Sequence, residues 1–296
     1  MGYLFLTVSL LAGAIKGFCG KKTSGFVEGY NGAFLMNSIR MLLCILFGFC
    51  LILLEGNASF MLPTAKLLLV SALSGLTSAA FVVFWLISVR SGAYMMLDVF
   101  NMLGIFVPMI LSRIIFSEEI RTNQWLGSMV LVIACIIMCS YNNSIKKKLN
   151  LSSVILLVLC CLSNGLTDFS YTLFDRTLPN VPKSVFSFYS YIFASTVLLL
   201  CFIFSRKSTS SQEKRQIIKK TSGYIIVMAI CLFLNTYFKS IAVPHLPTAV
   251  IYPLNQGVAL ILSTIMASLF FGEKLTAKCI SGLITAFAGL LIINVL

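Results

Sequence analysis

The sequence predicts an all-α integral membrane protein with about ten transmembrane helices, arranged as two inverted five-helix repeats. Its apolar composition, its long apolar runs and an approximate internal repetition support this prediction. Of the 296 residues, 59% are hydrophobic and only 10% are charged, whereas a soluble domain has roughly a quarter of its residues charged. This charge is too little to cover a surface that faces water, so the expected surroundings are lipid.

The apolar runs define the predicted transmembrane helices in order along the chain. A helix needs about 20 apolar residues to cross about 30 Å of hydrocarbon. No basic segment precedes the first run and no A-x-A-like cleavage site follows it, so we expect it to be a membrane span, not a removed signal peptide. The predicted spans are 2–20, 31–54, 66–88, 92–116, 124–141, 151–174, 183–204, 222–241, 247–271 and 276–295.

Basic residues cluster in loops between these spans and account for the net charge of +13. One cluster follows the fifth span, at 146–148, and another lies between the seventh and eighth, at 206–220. In a ten-span topology both loops face the same side. The positive-inside rule makes this side cytoplasmic and places both termini outside. The charge therefore fits membrane topology, and no nucleic-acid partner is expected.

Neither a metal site nor a cofactor is expected. The ten cysteines fall mostly inside apolar runs without metal-ligand spacing, and the single histidine, His245, cannot complete a zinc site. Cysteines in such runs behave as small hydrophobic residues.

The segment after Lys146 separates two similar halves, predicted as repeats at 1–145 and 151–296. An offset of about 155 residues places FSEEIRTNQWLG (116–127) on FGEKLTAKCISG (271–282) and Asn101 on Gln256. An odd number of spans in each half inverts one half relative to the other. Inverted repeats place a binding site near the bilayer midplane, at the repeat interface.

The first predicted helix combines glycines with basic residues. Gly13, Gly17 and Gly20 leave one helical face without side chains, which is typical of close helix packing. The alternative is an anion site, in which exposed backbone N–H groups act together with nearby cations. The candidate cations are Lys16, Lys21 and Lys22, to which Arg40 in the second span is added.

Two further polar groups fall at corresponding places in the two halves. Tyr94, Asp98 and Asn101 share a helical face in the fourth span. Tyr252, Asn255 and Gln256 surround Pro253 in the ninth span, and a proline that interrupts a membrane helix is tolerated where the helix lines a cavity. These groups are candidates for a midplane pocket, the alternative being hydrogen bonding between helices without a ligand.

Ionisable residues within the remaining apolar runs complete the candidate site. Asp168 shares a face with Tyr171, and a pair with Lys16 is one possible arrangement. Lys239 lies one turn after Asn235 in the eighth span. A charge at the bilayer centre costs about 2.5 to more than 10 kcal/mol, so such residues are paired or face an aqueous cavity.

The chain resembles the drug/metabolite transporter superfamily, in its EamA-type branch. The resemblance rests on YPLNQG (252–257), on FFGEKLT with CISGLITAFAGLLIIN after it, and on Pro108, FSEEIRT and WLGSMVLVIACIIM in the first half. Arg40 also fits the pattern. The resemblance implies transport of small organic solutes, and both termini in the cytoplasm, which is opposite to the orientation that the charge distribution predicts.

We therefore expect a secondary transporter that works by alternating access on a small organic metabolite, with a preference for anionic or zwitterionic solutes. An exporter of amines or drug cations is the main alternative, and a channel or lipid scramblase is another. Enzyme chemistry is not expected, since neither a nucleophile with its base nor a metal motif is present. The expected partners are the substrate, a coupling ion (H⁺ or Na⁺) or counter-substrate, and the bilayer of a prokaryotic inner membrane.

Overall fold

The computed structural model describes residues 1–24, 29–90, 100–139, 151–205, 211–271 and 277–295, and these form helices joined by short turns, without a strand among them. Two short 3₁₀ helices, Ala58–Met61 and Val243–His245, occur between longer ones. The α-helices are α1 (Gly2–Ser24), α2 (Gly29–Leu54), α3 (Ala65–Arg90), α4 (Phe106–Phe116), α5 (Thr122–Cys139), α6 (Leu151–Thr177), α7 (Lys183–Phe204), α8 (Ser211–Ala242), α9 (Thr248–Phe271) and α10 (Ala277–Val295).

The prediction of an all-helical membrane protein is confirmed. Within the described residues, seven helices are long and apolar enough to cross a membrane, namely α1, α2, α3, α6, α7, α8 and α9. Three shorter apolar helices, at Phe100–Phe116, Thr122–Ile137 and Ile280–Ile293, coincide with the other three predicted spans. The total of ten spans and the inversion of the repeats stay predictions.

One compact unit, which we call unit 1, comprises residues 1–79 and 173–242. In it α1 packs along α8, and α2 packs on both α7 and α8. The helix α3 approaches α7 at Gly75, where an added Cβ would lie 2.4 Å from the Ser190 carbonyl oxygen. In the same unit the rings of Phe174 and Phe186 stack with their centroids 4.2 Å apart. Unit 1 is therefore held together by close backbone contact and aromatic packing.

The other compact unit, unit 2, comprises residues 80–172 and 243–296. Its main helix pair is α5 with α10. They cross at Gly127 and Gly289, where a Cβ on Gly127 would lie 2.8 Å from the Gly289 carbonyl oxygen. Apolar side chains from α4, α5, α9 and α10 form one buried cluster, which includes Ile105, Leu131 and Leu290. Small residues at helix crossings are the usual means of close packing in membranes.

Prolines occur where the helices tolerate them. Pro108 is the third residue of α4, in the first turn, where no intrahelical partner for its missing N–H is needed. Pro253 lies inside α9, next to the fully buried Tyr252. The predicted interruption of this helix therefore falls in the core of unit 2.

The units do not follow the predicted repeats. Each unit combines a segment from 1–145 with a segment from 151–296. Packing units and sequence repeats are different properties, so the repeat boundary stays a prediction.

Candidate substrate-binding residues

Three basic residues of unit 1 lie on buried helical faces. Lys16 is on the face of α1 that carries the buried residues Ala12, Cys19 and Thr23. Arg40 in turn lies between buried Asn37 and Cys44 on α2, and Lys239, 7% exposed, follows buried Asn235 on α8. All three side chains therefore start from surfaces that face the other helices of the unit. We call Lys16, Arg40 and Lys239 the cation cluster.

Within the cation cluster, Lys16 and Arg40 have no acidic partner among the described residues. Lys16 is close enough to Arg40 and Lys239 for their positive charges to repel it. No ion pair or hydrogen bond joins Lys16 or Arg40 to any described carboxylate. The Arg40 Nε is buried and also has no hydrogen-bond partner there. Unit 1 thus contains positive charge that its own described residues leave uncompensated.

Some neutral polar side chains on α1, α7 and α8 bind one another. Asn235 Nδ2 donates to the Ser9 carbonyl oxygen at 2.7 Å, and Ser9 Oγ donates to the Asn235 carbonyl oxygen at 2.8 Å. Gly13 permits this contact because it has no side chain. A Cβ at this position would lie only 3.0 Å from Asn235 Nδ2. On the neighbouring helices, Tyr191 and Thr236 hydrogen-bond through their hydroxyl groups. These groups fix α1, α7 and α8 around the cations.

The two acidic side chains described in unit 1 have other partners. Glu55, at the end of α2, accepts hydrogen bonds of 2.6 Å from both Ser184 Oγ and Tyr237 Oη. Asp175 forms an ion pair of 2.6 Å with Lys183. Both carboxylates therefore join helix ends, and neither pairs with Lys16 or Arg40.

The remaining candidate residues on α1 are not part of the cation cluster. Lys22 is exposed, and Lys21 lies on α1 but its side chain is outside the described residues. Among the described residues, no atom lies within 4 Å of the Cβ position of Gly17, and Met228 Cε lies 3.7 Å from that of Gly20. The closest approach of this face to a described residue is therefore at Gly13, and packing through all three glycines stays a prediction.

The candidates of unit 2 form a hydrogen-bonded group around Tyr252. Its hydroxyl donates to the Asp168 carbonyl oxygen at 2.5 Å and lies 2.8 Å from Thr172 Oγ1. Asp168 is 3% exposed, Tyr171 6% and Tyr252 0%. The face of α6 that carries Asp168 and Tyr171 is thus buried against α9. It contributes the Asp168 carboxylate, and the Thr172 hydroxyl on α6 lies within hydrogen-bond distance of the Tyr252 hydroxyl.

Asn101, Asn255 and Gln256 lie on segments that share the apolar cluster of unit 2, through Met102 and Leu254. Asn101 Oδ1 accepts a weak hydrogen bond of 3.7 Å from Cys160 Sγ. Asn255 and Gln256 are half-buried. The structure therefore brings the two segments together within unit 2, while Tyr94 and Asp98 lie outside the described residues.

The candidate residues consequently fall into two groups. Lys16 belongs to unit 1 and Asp168 to unit 2, and the pairing of these two residues stays a prediction. The basic candidates are in unit 1, and the described acidic and phenolic candidates, Asp168, Tyr171 and Tyr252, are in unit 2.

The position of Glu118 in the sequence does not suggest the contact that it makes in the structure. This residue follows the C-terminal end of α4, where the helix dipole disfavours a carboxylate. In the structure Glu118 Oε1 accepts a 2.7 Å hydrogen bond from the backbone N–H of Thr248. The carboxylate thus caps the N-terminus of α9, where the dipole favours it. Arg121 borders, with Arg113 and residues 117–120, an open hollow of about 460 Å³.

Several contributing residues were not predicted as parts of the site. Tyr191 on α7 lies near enough to Arg40 for an electrostatic interaction. A sequence signal was available, since Ser184, Ser187, Ser190 and Ser195 place small polar residues on one buried face of α7. Ser9 gave no such signal, because a single serine in an apolar helix is common.

No group of three or more potential metal ligands occurs among the described residues. Among the cysteines whose side chains the structure describes, eight are free, and six of these eight are buried. Their distribution matches small apolar side chains that pack between helices.

These observations define a multi-pass membrane protein with a number of polar residues buried between its helices. Residues 151–295 match the EamA-like transporter family. The resemblance in the sequence to the EamA-type branch of the drug/metabolite transporter superfamily is therefore confirmed for this C-terminal segment.

A solved crystal structure shares the fold, with a TM-score of 0.80 over 99% of this chain and 96% of that chain. The sequence identity is 13%, so this similarity concerns the fold alone.

Proposed function

We propose that the protein is a secondary active transporter that moves a small organic metabolite by alternating access, with a preference for an anionic or zwitterionic solute. The proposal includes ten membrane helices in two inverted five-helix repeats. The match of residues 151–295 to a transporter family supports the transport function. The preference for an anion rests on one observation, namely that Lys16 and Arg40 lie on buried faces without a carboxylate partner in the described part of unit 1.

The energetics of the membrane support this assignment. Arg40 lies ten residues from the start and fourteen from the end of the apolar span Tyr30–Leu54, which corresponds to about 15 and 21 Å of helix. A basic residue at that depth costs at least about 2.5 kcal/mol. Uncompensated charge is therefore expected only where it binds something, and an anionic solute supplies the missing negative charge.

The driving force is proposed to be an H⁺ or Na⁺ gradient or a counter-substrate, since the sequence contains no nucleotide-binding P-loop. The proposed location is a prokaryotic inner membrane. Catalysis, a resident cofactor and nucleic-acid binding form no part of the proposal.

Uptake into proteoliposomes tests the proposal. Radiolabelled organic anions that stabilise the purified protein against heat are expected to accumulate with saturation and to show counterflow. Lys16→Ala and Arg40→Gln are expected to lower kcat/KM at least about tenfold, because each removes a charge-assisted contact. Lys22→Ala removes an exposed charge from the same helix and serves as the control. Full transport in both site variants would reject the anion preference.

An exporter of amines or drug cations is the second candidate, because Asp168 is a buried carboxylate in a group of phenolic residues. The variant Asp168→Asn decides between them. If amines stabilise the protein and Asp168→Asn abolishes that effect, cation transport replaces the proposal. Non-saturating flux without counterflow would instead indicate a channel or scramblase.

A further inference from the structure

We infer that Asp168 exchanges a proton with water along a polar path through unit 2, which begins at the hollow beside Glu118 and ends at the Tyr252 hydroxyl. The inference rests on the proposed function and selects H⁺ from the coupling ions named there. Both ends of the path meet α9. The first residue of this helix, Thr248, binds Glu118 through its N–H. One turn later, the Tyr252 hydroxyl contacts the main chain of Asp168.

The entrance is the open hollow of about 460 Å³ that Arg113 and residues 117–121 border at the end of α4. Glu118 lines this hollow, and its Oε1 accepts the Thr248 N–H at 2.7 Å. Its other oxygen, Oε2, is buried and has no hydrogen-bond partner among the described residues. A carboxylate oxygen without a donor can accept a proton or a water molecule. Glu118 therefore connects the hollow with the interior of unit 2.

Two buried hydroxyl groups near Glu118 also lack a partner. Thr248 is 3% exposed and Ser112 is fully buried, and neither side-chain oxygen has a hydrogen-bond partner in the described part of the chain. Ser112 is held next to Glu118, whose N–H donates to the Ser112 carbonyl oxygen at 3.3 Å. Buried polar atoms normally bind a protein group or an ordered water molecule. We therefore expect water to enter between these three residues and to carry protons inward.

The inner end of the path is the Tyr252 hydroxyl, which donates to the Asp168 carbonyl oxygen at 2.5 Å and lies 2.8 Å from Thr172 Oγ1. Tyr252 shares a face of α9 with Thr248, and a tyrosine in a helix leans toward the N-terminal end. The Asp168 carboxyl group, 3% exposed, belongs to the residue that this hydroxyl contacts. Tyr252 therefore links the start of α9 to the buried acid.

An aromatic contact independently places the end of α4 against α6. The rings of Phe116 and Phe169 have centroids 6.1 Å apart. Phe116 is two residues before Glu118, and Phe169 is the neighbour of Asp168. The entrance and the buried acid are therefore brought together by the packing of α4 on α6 as well as by α9.

Proton transfer along this path balances at each step. A hydronium ion in the hollow gives its proton to Glu118 Oε2 and becomes water, and the carboxylate becomes a neutral carboxylic acid. The acid passes the proton through bound water to the Tyr252 hydroxyl oxygen, and the hydroxyl releases its own proton to the Asp168 carboxylate. Glu118 and Tyr252 return to their initial states, so the net change is one proton on Asp168. Because charge inside the membrane is costly, this neutralisation can shift the equilibrium between transporter conformations.

The carboxylates of unit 2 can be tested one at a time. The titratable and charged side chains of the described elements around the path are Tyr171, Tyr252, His245, Arg113, Glu118, Glu119 and Arg121. With Asp168, the described part of unit 2 therefore contains three carboxylates, of which Asp168 is buried, Glu118 half-buried and Glu119 exposed.

Infrared difference spectroscopy of the full chain in lipid membranes tests the path without a substrate. Acidification is expected to produce a carboxylic acid C=O band that is absent in Asp168→Asn. When a photolysed caged acid releases protons, the rise of this band should slow about tenfold or more in Glu118→Gln, because the acceptor at the entrance is lost. Glu119→Gln removes an exposed carboxylate at the same hollow and should leave the rate unchanged.

Two conservative variants test the inner steps. Thr248→Val removes the unpartnered hydroxyl but keeps the N–H that binds Glu118, and Tyr252→Phe keeps the aromatic ring. Both should slow the rise of the band, because each removes a group that passes the proton on. Thr248→Ser restores a hydroxyl and should keep the wild-type rate, which separates the loss of a relay group from a defect in folding.

Two results would overturn the inference. If the band persists in Asp168→Asn, another group takes up the proton. If the band is lost in Asp168→Asn but rises at the wild-type rate in both Glu118→Gln and Thr248→Val, protons reach Asp168 by a different path.

Transport in the same membranes separates H⁺ coupling from the proposed function. An imposed pH gradient should drive uptake of radiolabelled glutarate, a small organic anion, in wild type but not in Asp168→Asn, while counterflow persists in both. Saturable uptake that ignores the gradient would reject H⁺ coupling and leave the transporter proposal intact. If neither glutarate nor any organic anion that stabilises the protein is taken up, the proposed anion transport fails, and the infrared result still decides the path.

Discussion

The two units bury ionisable groups of opposite sign. Unit 1 places Lys16, Arg40 and Lys239 on buried faces, whereas the charged side chain buried in unit 2, in its described part, is Asp168. The charges of the opposite sign in each unit lie at helix ends or on the surface. The described carboxylates of unit 1 join helix ends, and the described basic side chains of unit 2, Arg113, Arg121 and Lys278, are exposed.

Under the proposed function, this difference amounts to a division of tasks between the units. Lys16 and Arg40, which have no carboxylate partner among the described residues, would bind the anionic solute, whereas Asp168, buried in unit 2 with Tyr252, would not. Four substitutions test this contrast, from the largest expected effect to the smallest.

Gly75→Ala is expected to have the largest effect, and it should fall on unit 1. Its new Cβ would lie 2.4 Å from the Ser190 carbonyl oxygen and 2.6 Å from Phe193 Cβ, so helices must separate. Overpacking of this kind costs about 1–3 kcal/mol or more. Thermal unfolding in detergent should show a lower Tm and loss of anion stabilisation. Gly17→Ala, where the Cβ position is open, is the matched control, and equal damage from both would refute the packing explanation.

Lys16→Met should change stability and binding in opposite directions. Removing a half-buried cation that is repelled by Arg40 and Lys239 is expected to stabilise the ligand-free protein by about 1 kcal/mol, or about 2–4 °C in Tm. Stabilisation by anions should disappear. In unit 2, Asp168→Asn should leave stabilisation by anions intact. A lower Tm of ligand-free Lys16→Met would mean that Lys16 is a structural residue.

Tyr252→Phe tests the hydroxyl chain of unit 2. The substitution removes the donor to the Asp168 carbonyl oxygen and the contact to Thr172 Oγ1. Buried groups left without a partner cost about 1–3 kcal/mol. We expect a lower Tm with anion affinity unchanged, because the cation cluster belongs to unit 1. A large change in anion affinity would contradict the division of tasks.

Glu118→Ala should produce the smallest loss. It removes the acceptor for the Thr248 N–H at the start of α9, and loss of a helix cap costs typically about 1 kcal/mol. Glu118→Gln retains an acceptor oxygen and should be milder in the same unfolding measurement. If the two variants are equally destabilised, the negative charge at the helix dipole matters more than the hydrogen bond.

Local sequence patterns were sufficient to predict the helices and the unusual charges. Apolar runs identify α1 to α10 because lipid requires each span to satisfy its own backbone hydrogen bonds. Lys16 and Arg40 were recognisable because charge in such a run is costly.

Partners distant in sequence could not be predicted. Ser9 and Asn235 are separated by 226 positions, and Glu55 and Tyr237 by 182, so no local pattern relates them. Glu118 shows the same limit, because its position suggested an unfavourable dipole while its partner is the start of another helix. The sequence also did not indicate that basic and acidic candidates belong to different units.

The composition of the units has a consequence for biosynthesis. Unit 1 needs α1 and α2 from the start of the chain together with α7 and α8, and unit 2 is completed only by α9 and α10. When the ribosome has made the first 145 residues, neither unit has all of its helices. During translation, Lys16 and Arg40 therefore enter the bilayer before α8 exists to cover them. Membrane chaperones and insertion machinery would have to shield this charged pair until residue 242 has been synthesised.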